Sequence, residues 1–308
     1  MSGPGILLMA YGAPERLDQV EAYYTDIRRG SAPPPALLEE LLGRYRAIGG
    51  GSPLSRIVES QRAALASELA RRGRPARVYC GMKHIAPFIG DVVRRMAAEG
   101  VDRIVAIPLA PQHSTFNDQT YGRAVEEAAA SAPTTPRATV VGSWHDQPRL
   151  VEAMAAATAE ALARCEDPAS AHVFFTAHSL PERTGGGTDP YAHEVTATAA
   201  LVAERLSLER CDVAFQSAGR TSERWMGPDL LSEIRRVAAA GAREVVVCPV
   251  GFVADHLEVL YDVDVEARGV ARSLGVRLER ARAMNDDPTF IAALADIALS
   301  ALAQEAAA

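Results

Sequence analysis

Cysteine is sparse in this chain: Cys80, Cys165, Cys211 and Cys248 are scattered over 308 residues, and no two form a CxxC pair. Zinc and iron–sulfur sites usually draw at least two ligands from one short loop, so this spacing argues against a metal–thiolate centre and for reduced, mostly buried thiols. Basic residues are in deficit, 32 against 39 acidic ones, for a net charge of -7. A general nucleic-acid binder carries the opposite excess, so no nucleic acid is expected as a partner. Any anionic ligand then has to be met by a local basic cluster. No apolar stretch approaches the ~20 residues of a membrane span, and MSGPGILLMAYG lacks the basic and long apolar regions of a secretory leader. The expectation is a cytoplasmic protein without stable membrane insertion. Phosphate-binding signatures are missing as well: GGGSP (49–53) has no GK[ST] ending and no GxGxxG follows a strand, which disfavours nucleotide chemistry.

What remains is an ordinary globular composition, 48% hydrophobic and 23% charged, long enough for two packed α/β domains. Short apolar runs alternate with helical periods: GILLMA, ARVYCGM, DRIVAIPLAPQHS and ATVVGSW, separated by amphipathic or alanine-rich stretches. After the break at Glu166-Asp167-Pro168 the pattern starts again with AHVFFTAHS, CDVAFQSAG, REVVVCPVG and GVRLERARA. Two matches go beyond periodicity, since ILLMAYG answers VFFTAHS and IVAIPLAPQHS answers VVVCPVGFVADH. The alternation predicts two similar Rossmann-like α/β lobes, residues 1–146 and 147–308, each a four-stranded parallel sheet flanked by helices, with a cleft between them.

In α/β proteins ligands bind at the carboxyl ends of strands. The polar residues there are Tyr11, His84, His113, His178 and an acidic stretch from His256 to Glu266. Glu258, Asp262 and Glu266 are four apart, which on a helix stacks three carboxylates along one side. Acids so spaced commonly mark a solvated face, but this line lacks basic i+4 partners and is interleaved with Val259, Leu260 and Tyr261. A line of this kind attracts a cation. A lone histidine at a strand end is commonly structural; the pairing of His178 with Tyr11 in equivalent positions of the two halves gives it a second meaning. Histidine and glutamate together can accept protons near neutral pH or bind a divalent transition metal. No third ligand lies near in sequence, which fits transient handling of a metal better than storage. Arg28, Arg29 and Arg44, with Lys83 beside His84, flank the glycine-rich loop and could hold carboxylates or phosphates, although a helix end alone would also favour arginines.

The motifs MAYGAP, YYTDIRRG, RYRAIGGGSPLS, GMKHIAPFI, LAPQHSTF, TAHSLPE, DPY, FQSAG, WMGPD and PVGFVADHLEVLYD, in this order, resemble those of the ferrochelatases, specifically the coproporphyrin type of Gram-positive bacteria. The resemblance covers nearly the whole chain. It implies the type II chelatase fold and insertion of ferrous iron into coproporphyrin III to give coproheme, in haem biosynthesis. It implies that His178 and Glu258, on one face of the macrocycle, share metal delivery and pyrrole deprotonation, and that Tyr11, on the other, is the axial ligand of the product iron. It implies further that Arg28, Arg29, Arg44, Ser52 and Tyr121 line the porphyrin site or hold its propionates, that Lys83 and His84 lie on its rim, and that Asp262 and Glu266 form a metal route. Fe2+ is then a substrate, and no permanent cofactor is required. Some relatives bind a [2Fe-2S] cluster through cysteines near the C-terminus; no cysteine follows Cys248, so none is expected here. Where relatives often read LAPHxS this chain reads LAPQHS, which moves the histidine to His113. Two other readings share parts of this pattern, a cobalt or nickel chelatase acting on another tetrapyrrole and a non-catalytic tetrapyrrole carrier. A monomer is expected, no self-complementary apolar stripe being evident.

Overall fold

The computed structural model of the chain describes residues 3–182, 189–219 and 222–307. By its internal contacts it divides into two units, one running to Ala110 and resuming at Phe116–Trp144 and from Asn285, the other comprising Pro111–Thr115 and His145–Met284.

The first unit begins with β1 (Gly3–Ala10), whose residues from Ile6 to Met9 are fully buried, as a central parallel strand covered on both faces requires. There follow α1 (Val20–Ile27), α2 (Pro35–Ala47), α3 (Leu54–Arg71), β2 (Arg77–Met82), α4 (Ile89–Ala98), β3 (Val101–Pro108), α5 (Thr115–Ala130) and β4 (Arg137–Val140). The four strands are all parallel, in the order β2-β1-β3-β4. Leu7, Met9 and Ile104 from the sheet pack against Val92, Val93 and Met96 of α4 and Val125 of α5. Each such burial contributes ~1.5–3 kcal/mol of transfer free energy before chain entropy is set against it. The last helix, α11 (Pro288–Ala307), belongs to this unit: Arg72 at the end of α3 bonds Asp296 at 2.5 Å and the Ala292 carbonyl at 3.2 Å.

The second unit repeats the plan with α6 (Pro148–Leu162), β5 (His172–His178), α7 (Tyr191–Leu206), β6 (Cys211–Gln216), α8 (Leu230–Ala239), β7 (Glu244–Cys248), α9 (Leu257–Leu260), α10 (Arg268–Ser273) and β8 (Arg277–Arg280). Its order, β6-β5-β7-β8, is that of the first sheet, again all parallel. The duplication expected from the sequence is therefore present strand for strand: β1 corresponds to β5 and β3 to β7. In both sheets the chain reverses its direction of growth beside the first strand, at β1/β3 and at β5/β7, and ligands of open α/β sheets bind at such switch points.

One expected element differs. The pattern from His256 to Glu266 reads as a regular helix, but the chain makes one α-turn, α9, then a π-helical segment over Asp262–Ala267, and only then α10. The Tyr261 carbonyl accepts from Val265 N at 3.1 Å and from Glu266 N at 2.9 Å, the second being the i+5 bond that defines a π turn. Val263 and Ala267 are buried in the core with Phe174, Ile234 and Val247, while Val265 and Glu266 are exposed. No described helix is long and apolar enough to cross a membrane.

Candidate active site

His178 is the last residue of β5, and backbone contacts fix it there. Ser179 N donates to the Gln216 carbonyl at 2.7 Å, the Ser179 hydroxyl to the Met226 carbonyl at 2.7 Å, and the Tyr191 hydroxyl to the His178 carbonyl at 3.1 Å. The turn after β7 then crosses this strand end. Gly251 N donates to the Thr176 carbonyl at 3.0 Å, and a Cβ at Gly251 would sit 2.8 Å from the Ala177 Cα, so only glycine allows the approach. This contact carries the segment that follows, with His256 and Glu258, to the side of His178.

The result is a chain of three ionisable groups. His178 Nε2 is 3.4 Å from Glu258 Oε1, and His256 Nε2 is 3.4 Å from Glu258 Oε2. In both rings the other nitrogen faces a backbone oxygen: His178 Nδ1 the Ser179 carbonyl, His256 Nδ1 the Ala254 carbonyl at 2.9 Å. A carbonyl only accepts, so each Nδ1 carries a proton, and each Nε2 is the nitrogen that exchanges one with the carboxylate. Burial by itself pushes the His178 imidazole down, but the charge and hydrogen bond of Glu258, with a smaller push from Asp262, raise it to about 9. Burial opposes the Glu258 charge as well, and the two histidines overcome it, holding the carboxyl far below its ordinary range. The resting pair is therefore imidazolium and carboxylate. Among the described residues no group of three or more His, Cys, Asp or Glu side chains is arranged to hold a metal ion.

Glu258 sits in the first turn of α9, whose backbone is held from β6: the Gln216 amide donates to the Glu258 carbonyl at 2.7 Å. Its neighbour Ser217, at φ 62°, donates its hydroxyl to Asp262, only 4% exposed. Along the acidic line Glu266 is open to solvent, Asp262 is buried and Glu258 is half-buried beside the histidines. The Trp225 ring lies 6.5 Å from His178 and covers Gly219, where a Cβ would come within 2.3 Å of the indole.

The first unit gathers a different set. Tyr11 follows β1 and is 41% exposed. Backbone bonds from Lys83 N to the Ala10 carbonyl (2.9 Å) and from His84 N to the Tyr11 carbonyl (3.0 Å) extend the β1/β2 pairing and set both side chains beside it. The His84 ring is 4.4 Å from the Tyr11 ring and its Nδ1 is 2.7 Å from Asp26. Lys83, the chain's one lysine, holds its Nζ 5.3 Å over the Tyr11 ring and 5.7 Å over that of buried Tyr121. Burial, then the Arg29 charge, lowers the Lys83 amine; burial also lowers the His84 imidazole, against the pull of Asp26.

Arg28 and Arg29 close α1, Arg29 at φ 55° and Gly30 at φ 86°. Arg28 Nε is buried without a hydrogen-bond partner. Arg29 and Arg123, the latter not singled out by sequence, line an open hollow of about 330 Å³ with Thr120. Arg44 is paired with Glu40 at 3.3 Å, and Ser52, 1% exposed, accepts from Leu54 N at 3.3 Å at the start of α3. Tyr11, Lys83, His84 and Tyr121 thus form one cluster, while Ser52 has a local structural partner. In LAPQHS the glutamine is the inward residue: Gln112 bonds the Thr198 hydroxyl and the Val250 carbonyl, both at 3.1 Å, and His113 is tied through its backbone N to Glu194. Sequence reasoning noticed His256 without giving it a role and missed Gln216 and Ser217, although FQSAG at a strand end was a signal.

Comparisons with known proteins place the chain in a family. The family model described as Ferrochelatase matches residues 3–302. The chain is 44% identical to the ferrochelatase of Thermus thermophilus, over 95% of this chain and 97% of that one. It is 42% identical to the coproporphyrin III ferrochelatase of Geobacillus thermodenitrificans, over 98% and 96%. Among solved structures, SirB from Bacillus subtilis with Fe3+ superposes with a TM-score of 0.60 at 12% identity, covering 96% of this chain and 94% of that one, a likeness of fold that identifies the type II chelatase architecture. The chain belongs to the ferrochelatase family and is a metal chelatase.

Proposed function

We propose that this enzyme inserts ferrous iron into coproporphyrin III to give coproheme. The observation that carries the reading is the Glu258 carboxylate flanked by two histidine Nε2 atoms at 3.4 Å, each ring oriented by a backbone carbonyl. Metallation displaces two pyrrole protons, so the site needs bases that are unprotonated when the macrocycle arrives at them. At neutral pH Glu258 keeps a proton on His178. A dication reaching Glu258 cancels the field that holds this proton, which is released to solvent, so metal arrival and formation of the free imidazole are coupled. His178 and Glu258 then take the pyrrole protons and pass the metal on, with His256 as a second relay. Glu266 and Asp262 supply the metal along a line of increasing burial. Tyr11 ligates the iron of the product. Arg28, Arg29, Arg44, Ser52, Lys83 and Tyr121 hold or line the propionate-bearing rim, and propionate binding supports distortion of the ring toward its metallated form. Fe2+ is a substrate, no [2Fe-2S] cluster is needed, and the enzyme works as a cytoplasmic monomer.

The test is anaerobic incubation with ferrous iron and, in parallel, coproporphyrin III or protoporphyrin IX, followed by absorbance. Rapid metallation of coproporphyrin is expected. Preference for protoporphyrin would overturn the substrate, and no metallation of either ring the iron-insertion reading itself.

A further inference from the structure

Arg280, the last residue of β8, is an arginine at 14% side-chain exposure with carboxylates on two sides. Its Nε donates to Asp264 at 2.9 and 3.1 Å, its Nη1 to Asp255 at 3.0 Å, and Nη1 also reaches the Ala281 carbonyl at 3.3 Å. Asp255 immediately precedes His256; Asp264 lies inside the π segment, two residues beyond Asp262. The two carboxylates are thus the flanks of the stretch that presents His256, Glu258 and Asp262. Arg280 itself cannot drift, because β8 is in register with β7 at Val247 and Ala281 N donates to the Val247 carbonyl at 2.9 Å.

We propose that Arg280 is a positioning residue, an ionic clamp that ties the stretch from Asp255 to Asp264 at both its ends to the edge of the sheet and so fixes Glu258 between the two histidines. The reason lies in the segment's own weakness. α9 is a single turn, the π segment has poorer hydrogen-bond geometry than an α-helix, and the His256 side chain makes no helix-capping bond. Apolar anchoring comes from Val259, Val263 and Ala267 on the inner side, and Gln216 and Ser217 hold Glu258 and Asp262 from β6, but none of these ties the Asp255 and Asp264 flanks. A planar guanidinium bridging two carboxylates supplies that missing tie, which an ammonium, a point charge on a flexible stem, cannot reproduce. The further cation Arg268, 3.4 Å from Asp264, steadies one flank only. Buried pairs of this kind are poor sources of stability but good sources of geometry, and breaking one leaves charges stranded.

The proposal rests on Glu258 being part of the reaction, and the test separates the two ideas. Arg280→Lys retains the charge and removes the bridge; Arg280→Met removes both. Expected for Arg280→Lys are faster amide hydrogen exchange across residues 256–266 than in the parent, a kcat for iron insertion about tenfold lower, a coproporphyrin KM within about twofold, and a smaller rate loss than in Arg280→Met. Should Arg280→Met fail to fold, the lysine variant decides. Unchanged exchange over 256–266 in Arg280→Lys overturns the clamp whether or not the parent metallates porphyrin. So does parental kcat in a parent that is active, or a rate loss matched by a rise in porphyrin KM. A parent inactive on both porphyrins sinks the functional reading alone, and the exchange measurement still decides the clamp.

Discussion

Glu258 sets the proton affinity of His178, and the sign of its effect can be checked directly. Burial alone drives an imidazole below its ordinary 6.5, whereas here the value stands near 9 because the carboxylate overrules burial. In Glu258→Gln burial remains and only the smaller pull of the Ser179 carbonyl and Asp262 opposes it, so the His178 titration followed by NMR should fall well below 9. A value still near 9 would place the cause elsewhere. The same coupling bears on stability: seen from His178, the contribution is complete below pH 6.5 and is lost as pH rises through about 9. Glu258 reports the same interaction, present above its ordinary 4.5 and lost only as pH falls through its depressed folded value, and the two are not to be added. For turnover, His178→Ala should cost ~10²–10⁴-fold in kcat, the usual worth of a positioned general base. Because the side chain lies outside the arginine set, porphyrin affinity measured by fluorescence quenching should hold. Wild-type turnover in that variant would end its catalytic assignment.

At the level of the element, the sequence announces the acidic line but not its shape. Spacing of four made Glu258, Asp262 and Glu266 neighbours on a helix, and they do follow one another along the segment, but a regular α-helix would have kept all three on one exposed stripe. The π turn places Val263 and Ala267 in the core and Asp262 with them, against the Ser217 hydroxyl. A four-residue spacing does not distinguish an α from a π turn, and the interaction that matters, from Ser217 to Asp262, spans 45 residues. His256 was visible in the sequence; its ring orientation depends on the Ala254 carbonyl and on an extended backbone at φ -158°, neither of which a helical pattern announces. If the line is a route for the metal, Asp262→Ala should raise the KM for ferrous iron about tenfold, the equivalent of losing one charge-assisted bond of roughly 1.5 kcal/mol. Steady-state kinetics should show the coproporphyrin KM unmoved; an equal rise in both constants would mean that the segment had collapsed and no route had been interrupted.

Across the whole molecule the duplicated order of strands was the most readable feature, since near-continuous apolar runs such as Ile6 to Met9 and Val245 to Val247 fit buried parallel strands and recur at matching places. Charge was harder to place. A net charge of -7 opposes a tetra-anionic porphyrin at long range, and with a Debye length of ~10 Å at 0.1 M salt that repulsion is weak beyond contact. On the proposed reading, binding depends on short-range cations, and their surroundings differ. Arg28 carries a donor without a partner, Arg29 and Arg123 share one hollow, Lys83 is partly desolvated over two tyrosines, and Arg44 must divide itself with Glu40. Each propionate met by such a group adds to the salt sensitivity of binding. Raising ionic strength should accordingly increase the coproporphyrin KM more steeply than that of protoporphyrin IX, which has two propionates where coproporphyrin has four, with kcat unchanged for both. Arg28→Ala should flatten the coproporphyrin slope more than Arg44→Ala does, because the Arg44 guanidinium is already partly neutralised. Equal salt slopes for the two porphyrins would show that these cations do not count propionates, and would move the source of substrate preference to the shape of the site.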